Sequence, residues 1–227
     1  MNGATEPVEA MAEPVSSPGP DGKIVDQLKP AILATLGLTI LTGCIFPLLL
    51  YALAQPLLPR QAQGSLLMRN GVVVGSELIG QAFTKPEYFQ SRPSAAGNGY
   101  DATASGGTNL GPNNPQLTNG SANFRGVRQL AEGYRKQNGL LQEAAVPIDA
   151  VTRSGSGLDP DISPENAELQ VRRVARARGL SEEVVRQLVA ENTRGRQLGF
   201  IGKPRVSVLE LNLALDQLQH ASSATVR

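Results

Sequence analysis

An uncharged, apolar segment near the N-terminus constrains this chain more than any other feature. It runs from Pro30 to Pro59, and no Asp, Glu, Lys or Arg interrupts it. Its core, Ala31 to Ala54, holds 24 residues. As a helix they would rise about 36 Å and cross a hydrocarbon layer about 30 Å thick. The sequence therefore predicts a single-pass membrane protein rather than a soluble enzyme or a multi-helix channel.

Two processing signals overlap this segment. Ala52-Leu53-Ala54 has the small-x-small form of a signal-peptidase site, and Leu41-Thr42-Gly43-Cys44 has the form of a lipoprotein-processing site. A signal peptide usually begins with a positive region, whereas the 29 residues before the apolar segment are acidic. The residues after Cys44 also resemble a membrane span more than a polar tether. An uncleaved anchor is the favoured interpretation, and the two processing sites stay open as alternatives.

The chain accordingly divides into three parts. Residues 1–27 are predicted to be a disordered tail, because Pro, Glu, Ala, Ser and Gly dominate its first 22 residues and bury little apolar surface. Residues 28–58 hold the membrane helix and its flanks. Residues 59–227 are long enough for one core. From Arg60 onwards, 19 Lys and Arg against 15 Asp and Glu give a charge of +4, too mild to indicate nucleic acid.

Chemistry-bearing residues are scarce in the domain. The only cysteine, Cys44, lies within the apolar segment, and the only histidine, His220, lies close to the C-terminus. Thiol nucleophiles, Ser-His-Asp triads and histidine-based zinc sites are therefore excluded. We expect no catalytic residue, no metal site and no cofactor bound by this chain on its own.

The domain pattern predicts an α+β fold. Two apolar runs from Ser65 to Gly75 flank Asn70-Gly71, the dipeptide favoured in tight hairpin turns, so a hairpin is expected over 66–74. Further strands are predicted at Ala145–Ile148 and Phe200–Ile201. Amphipathic helices are predicted to begin at about Val127, Pro164, Glu182 and Val206, and to cover the small sheet. Four arginines of the second helix are predicted to lie on a solvated face, with an acidic partner or lipid headgroups as the alternative: Arg172, Arg173, Arg176 and Arg178.

A tract of 25 residues rich in Gly, Asn, Ser and Pro, Arg92 to Gln116, precedes these helices. It has neither a helical nor a strand period, and a loop of this length inside a compact domain is often a binding loop. A partner-contacting loop and a plain surface excursion are the two interpretations. Its only carboxylate is that of Asp101, so it is a poor cation site. The predicted contact residues are Tyr100, Asp101, Ser105, Gly106, Gly107, Thr108, Asn109, Asn113 and Asn114.

Four collinear blocks resemble one known family. They are Gly75–Ala95, Tyr100–Leu117, Val151–Leu180 and Arg205–Leu218. Together they resemble KdpC, the small subunit of the bacterial Kdp potassium-transporting P-type ATPase, and the similarity extends over most of the chain, from residue 28 to residue 218. Three features depart from the family pattern, namely Asp161, Thr108 and the acidic leader.

The resemblance implies a non-catalytic subunit of a high-affinity potassium uptake complex. Its implied partners are a potassium-filter subunit, an ATP-hydrolysing pump subunit, a small membrane subunit and membrane lipid. KdpC is described as stabilising assembly and as a catalytic chaperone that raises the ATP affinity of the pump subunit. The implied location is the bacterial inner membrane, with a cytoplasmic N-terminus and an extracytoplasmic domain. A stand-alone, membrane-anchored extracytoplasmic binding module is the alternative.

An effect on the ATP affinity of the pump subunit could arise in two ways. ATP acts through the pump subunit, or this chain contacts the nucleotide itself. For direct contact, the candidate hydrogen-bonding groups are Ser154, Gly155, Ser156, Gly157 and Gln170. The alternative for the Ser-Gly repeat is a turn that leads into the helix cap at Ser163.

A stripe of small residues marks one side of the membrane helix. Small side chains allow helices in lipid to approach closely, so we expect this stripe to face a partner helix. Residues Ile32, Leu36 and Ile40 are expected to face lipid more often. The stripe consists of Ala31, Thr35, Thr39 and Thr42 with Gly43.

We predict that Thr39→Leu weakens co-purification of the other subunits, because the larger side chain separates the packed helices. The matched change Ile40→Leu keeps the side-chain volume and should retain them. Quantitative recovery of each subunit after affinity purification measures both. Equal recovery with the two variants would contradict the predicted packing face.

Overall fold

The structure is a computed structural model that describes residues 24–225, with side chains described for residues 25–219. Most of the predicted tail, residues 1–23, and the side chain of His220 lie outside the described part. The chain divides between Pro59 and Arg60 into two compact units.

The first unit is one long apolar helix. Helix α1 (Ile24–Ile40) continues through a π-helical turn (Leu41–Ile45) into helix α2 (Phe46–Leu57). The Phe46 N–H donates to the carbonyl of Leu41, five residues back, and the next residue, Pro47, has no N–H to donate. Within the described residues, Val25–Leu57 is the one helix with the length and mean hydropathy (2.2) of a membrane span. Single-pass anchoring agrees with this helix.

The second unit begins with the predicted hairpin, after a single helical turn, α3 (Pro59–Ala62). Strand β1 (Leu66–Arg69) pairs antiparallel with β2 (Val72–Ser76), and a bulge shifts the register after Leu67. Asn70 and Gly71 take φ angles of 52° and 79°, the left-handed conformation that this kind of turn requires. The α+β class and the hairpin are confirmed.

A second sheet was not foreseen from the sequence. Strand β5 (Arg205–Ser207) lies between β3 (Asp161–Ile162) and β4 (Thr193–Arg194), and both neighbours are antiparallel to it. Strands of two or three residues are too short to show a periodic pattern.

The two other predicted strands are wrong. Of the predicted strand Ala145–Ile148, residues 145–147 have no regular secondary structure and Ile148 begins the short helix α6 (Ile148–Val151). The Asp149 carboxylate of α6 accepts hydrogen bonds from the Ser163 N–H (2.8 Å) and hydroxyl (2.9 Å) and from the Asn166 amide (2.9 Å). This tertiary contact overrides local strand propensity. At Phe200–Ile201 the chain makes only an isolated bridge, between Gln197 and Ile201.

Four substantial helices of the domain lie where the pattern predicts them. Ser163 and Ser181 cap the second and third of these helices, and Gly139 and Gly179 end the first and second in the left-handed conformation. Besides the four-residue helices α3 and α6, the helices of this part are α4 (Pro115–Asn119), α5 (Val127–Asn138), α7 (Pro164–Arg178), α8 (Glu182–Glu191) and α9 (Val208–Thr225). The core lies between α7, α8, α9 and β5, and its largest buried side chains are Phe89, Leu211, Leu215, Val171, Val174, Val185, Val206 and Val208.

The arginines of α7 only partly follow the prediction of a solvated face. Arg172 and Arg176 are exposed, but the Arg178 side chain is only 2% exposed. It donates to the Glu87 carbonyl (2.7 Å) and the Asp216 carboxylate (2.9 Å) and stacks over the Tyr88 ring. Burial by itself would raise the pKa of Asp216, but hydrogen bonds from Arg178 and Arg69 hold it below its usual value. The Arg178 side chain therefore binds neighbouring segments of the domain instead of facing water.

The Arg173 side chain binds backbone carbonyls of the irregular segment between β2 and α4. Its guanidinium donates to the carbonyls of Pro86 (2.6 Å) and Tyr88 (2.9 Å) and to the side chains of Asn138 (2.9 Å) and Gln170 (2.6 Å). Burial lowers the pKa of Arg173, although an arginine stays charged in proteins.

Two buried side-chain amides hold the backbone between β2 and α4. Asn212 of α9 accepts from the Phe89 N–H (2.8 Å) and donates to the Phe89 carbonyl (2.9 Å). Gln170 of α7 does the same at the next residue, Gln90, with distances of 2.8 and 3.1 Å. Each amide supplies the donor and acceptor that a neighbouring strand would supply. We call Asn212 and Gln170 the amide clamps.

We predict that Asn212→Leu lowers the free energy of unfolding by about 3 kcal/mol, because a buried N–H and carbonyl lose their partners. Urea unfolding of the full chain in detergent, followed by circular dichroism, measures the change. Gln137→Leu, at an exposed amide on α5, is the control and should stay within about 0.5 kcal/mol of the original chain. Equal stability of the two variants would show that the clamp adds nothing.

Candidate functional site

The glycine-rich tract and the Ser154–Gly157 turn lie against each other. The Ser105 hydroxyl (3.0 Å) and the Gly106 N–H (2.9 Å) both donate to the carbonyl of Ser156. The Ser94 hydroxyl donates to the carbonyl of Gly157 (2.6 Å). Two sets of residues that the sequence assigned to different roles therefore form one surface.

Glycine is required where the two segments meet. A Cβ added at Gly107 would lie 2.9 Å from the carbonyl oxygen of Gly155. At Gly157, which has a φ of 70°, it would lie 2.6 Å from the backbone nitrogen of Ala96. Such distances are shorter than normal contacts, so larger side chains would separate the segments.

A cavity of about 280 Å³ opens where the tract, the turn and α5 meet. Ser154 lies at its wall, and the Ser154 hydroxyl is buried without a hydrogen-bond partner among the described residues. Buried polar atoms are nearly always paired, so this hydroxyl is an unused donor and acceptor. The cavity is lined by Gly107, Thr108, Asn109, Leu117, Val127, Val151, Thr152, Arg153, Ser154 and Gly155.

Arg153 gives this cavity a positive charge that the sequence interpretation missed. Its guanidinium donates to the Arg125 carbonyl at 3.1 and 3.2 Å and lies 4.2 Å from the centre of the Phe124 ring. Burial, followed by repulsion from Arg125, lowers the pKa of Arg153. The arginine immediately before the Ser-Gly repeat was the only sequence signal for this role.

The start of the tract is built from local hydrogen bonds. Tyr100, with a φ of 58°, donates its hydroxyl to the Arg92 carbonyl, and burial raises its pKa to about 12. The exposed Asp101 carboxylate accepts from the Thr103 hydroxyl (2.7 Å) and N–H (2.9 Å), which lower its pKa. One oxygen of this carboxylate, Oδ1, is therefore already engaged.

The end of the tract is more open. Asn109 is exposed in the left-handed conformation (φ 54°), and Asn113 is exposed. The Asn114 side chain caps α4 by accepting from the Gln116 N–H at 2.9 Å. Open amides and free backbone groups of this kind suit a polar contact with a protein partner.

Gln170 does not lie with the Ser-Gly turn. It is 1% exposed, and its amide is one of the amide clamps. The turn itself supplies the remaining candidate groups. The Ser156 hydroxyl accepts from the Leu158 N–H at 3.1 Å, which leaves Ser154 as the candidate with an unused hydroxyl.

The described residues contain no group of three or more His, Cys, Asp or Glu side chains placed to hold a metal ion. The site offers hydroxyls, amides, backbone groups and one arginine, which can bind a polar or anionic group. Nothing in this set is an activated nucleophile.

Comparison with known proteins identifies the family. Residues 28–217 match the family model described as KdpC: K+-transporting ATPase, c chain. The chain belongs to the KdpC family. The family resemblance of the four sequence blocks is thereby confirmed, and the matched region includes the apolar helix, the hairpin, the tract and the turn.

Individual relatives agree along most of their length. The potassium-transporting ATPase KdpC subunit of Koribacter versatilis is 51% identical over 83% of this chain and 93% of its own. That of Gemmatimonas aurantiaca is 52% identical over 90% and 98%, and that of Mycobacterium tuberculosis 50% identical over 85% and 98%. The chain is therefore similar to these subunits over both its helix and its domain.

We predict that Gly107→Ala destabilises the contact between tract and turn, because the new methyl group meets a backbone carbonyl that has little room to move. Thermolysin should cleave this variant faster near Leu110 and Leu117. Gly111→Ala is the matched control, because an added Cβ at Gly111 meets no atom within 4 Å. Equal cleavage rates would show that the tract does not depend on this close approach.

Proposed function

We propose that this chain is the KdpC-type subunit of a potassium-transporting ATPase complex and has no catalytic activity of its own. The observation that carries the proposal is the similarity to KdpC subunits over nearly their full length. The residue inventory supports it, since a single membrane helix cannot build a potassium filter. The sequence also lacks the Asp-Lys-Thr-Gly motif of a phosphorylated pump.

The proposed partners are a potassium-filter subunit, an ATP-hydrolysing pump subunit and a small membrane subunit. The helix would contact them through the small-residue stripe that includes Thr35 and Thr39. The domain would contact them through the tract from Tyr100 to Gln116, whose amides and glycines suit close polar contact. One helix and one broad surface together hold a subunit in a fixed orientation more firmly than either alone.

The proposed location is the bacterial inner membrane, with the N-terminus in the cytoplasm and the domain outside. Basic residues do not decide this orientation, because Lys23 and Lys29 precede the helix and Arg60 and Arg69 follow it. The support is the order of the parts, an N-terminal anchor followed by a folded domain. Potassium would then reach the complex on the side of the domain.

The proposed effect on ATP passes through the assembled complex. If the domain is outside and ATP inside, a rise in the ATP affinity of the pump subunit must be a coupling free energy between two sites. Stabilising one conformation of the filter subunit would supply that coupling. The Ser154 hydroxyl and Arg153 remain the groups suited to direct contact with an anionic ligand, and Gln170 supports the fold around them.

The tract can assist transport without binding potassium. A potassium ion at the outer mouth must exchange its water for the carbonyl dipoles of the filter. A domain held beside that mouth can stabilise the filter subunit and shape the approach. The tract holds a single carboxylate, that of Asp101, and Thr103 already engages one of its oxygens, which leaves too few acidic ligands for a cation site.

The test is to produce the partner subunits with the whole chain, without it, and with Ser105–Asn114 replaced by a short Gly-Ser linker. We expect loss of the chain to reduce recovery of the complex and to raise the KM for ATP. The shortened tract should loosen the complex and lower potassium-stimulated ATP hydrolysis together. Subunit recovery and hydrolysis rates measure these effects.

Two results would contradict the proposal at different levels. An intact, fully active complex without the chain would overturn its role as a subunit. An intact, fully active complex with the shortened tract would leave the subunit role in place and reduce the tract to a surface excursion.

A further inference from the structure

The loop between β4 and β5 exposes large apolar side chains. In the segment 195–204, Leu198 is 82% exposed, Phe200 72% and Ile201 47%. Burying such side chains is favourable in proportion to their apolar area, so a cluster of them in water indicates a surface that binds something apolar. We call this segment the apolar loop.

The apolar loop has a defined shape. Gln197 and Ile201 exchange two backbone hydrogen bonds of 2.9 Å, and Leu198 and Gly199 between them have φ angles of 51° and 83°. Positive φ angles at a tight turn favour Gly or Asn. A leucine in this position accepts a strained conformation and presents its side chain at the tip, although a polar residue would suit both the backbone and water better.

Basic residues flank the tip and no acidic residue lies within the loop. Arg196 and Lys203 are exposed, and no ion pair of either is found in the described part of the chain. The arginines at the base are different. Arg194 binds Glu210 at 2.6 Å, and Arg205 binds Asp161 at 2.8 Å. The free charges thus lie beside the apolar tip, while the paired ones anchor the base.

The base of the loop lies at the end of the domain where the chain enters from the membrane helix. Glu77 accepts from Arg60, and its second carboxylate oxygen lies 4.0 Å from Arg194. Arg60 is the first residue of the domain unit and comes three residues after the end of α2 at Leu57. The base of the loop therefore lies within one side-chain bridge of Arg60, the residue at which the domain unit begins.

We propose that the apolar loop inserts into the surface of the membrane in which the chain is anchored. Leu198, Phe200 and Ile201 would enter the boundary between headgroups and acyl chains, and Arg196 and Lys203 would pair with the phosphates of anionic lipids. An apolar tip between cations is the pattern of segments that lie in the interface of anionic membranes. The lipid contact adds a second attachment to the bilayer and is independent of the proposed subunit role.

The chain's lack of tryptophan makes the test direct. In the full-length chain, Phe200→Trp places a single fluorescent reporter at the tip, in vesicles of phosphatidylcholine and phosphatidylglycerol. Brominated lipids quench a tryptophan that lies in the interface, and acrylamide quenches one that faces water. Leu141→Trp is the matched control, because Leu141 is 79% exposed on another loop that has no flanking cations.

We expect brominated lipid to quench Phe200→Trp about twofold more strongly than Leu141→Trp, because only the first side chain is surrounded by lipid. Adding Arg196→Gln and Lys203→Gln to Phe200→Trp should reduce this quenching, as should vesicles of pure phosphatidylcholine. Both tryptophans replace exposed residues, so circular dichroism should show the same fold in all variants.

Three results would overturn the proposal. The first is equal lipid quenching at both positions, or full access of acrylamide to Phe200→Trp. The second is quenching that is unchanged by removal of the two cations or of the anionic lipid. The third, in a complex with the other subunits, is protection of Phe200→Trp from both acrylamide and brominated lipid, which would place the loop on a protein partner instead.

Discussion

The amide clamps are the interaction on which the rest of the domain depends. The segment between β2 and α4 has no regular secondary structure to satisfy its backbone groups, and an unpaired buried N–H or carbonyl is costly. The side-chain amides of Asn212 and Gln170 pair with the N–H and carbonyl groups of two consecutive residues, Phe89 and Gln90. They supply the hydrogen bonds that a neighbouring strand would otherwise supply. They also seat the wholly buried Phe89 ring in the core. A long irregular segment thereby acquires a fixed path.

The candidate site follows from that path. Once the backbone at Phe89 is fixed, the chain continues to Ser94, Gly106 and Gly107, which contact the Ser154–Gly157 turn. A glycine-rich tract is flexible in isolation, because glycine restricts the backbone least. Here each end is held by a rigid helix or turn, so its amides are presented in one arrangement. A partner that binds them then has less conformational entropy to offset.

Basic residues have two different roles in this domain. On α7, the Arg173 and Arg178 side chains turn inward, and each guanidinium donates to several carbonyl or carboxylate oxygens. In the apolar loop, Arg196 and Lys203 stay outside. Sequence alone does not separate these roles, because both groups occur as basic residues among apolar ones. Only the positions of the surrounding oxygen atoms distinguish them.

The sequence by itself determined the apolar helix, the Asn70-Gly71 hairpin, the four long helices with their caps and the family, because each depends on a local pattern or on a collinear match. The tertiary structure decided the second sheet and the helical turn at Ile148–Val151. It also decided the role of Gln170 and the contact between the glycine-rich tract and the Ser154–Gly157 turn. These features depend on groups far apart in the chain, as when Asp149 meets Ser163 or Gln170 meets Gln90. A local pattern carries no record of such partners, since only packing brings them within hydrogen-bonding distance.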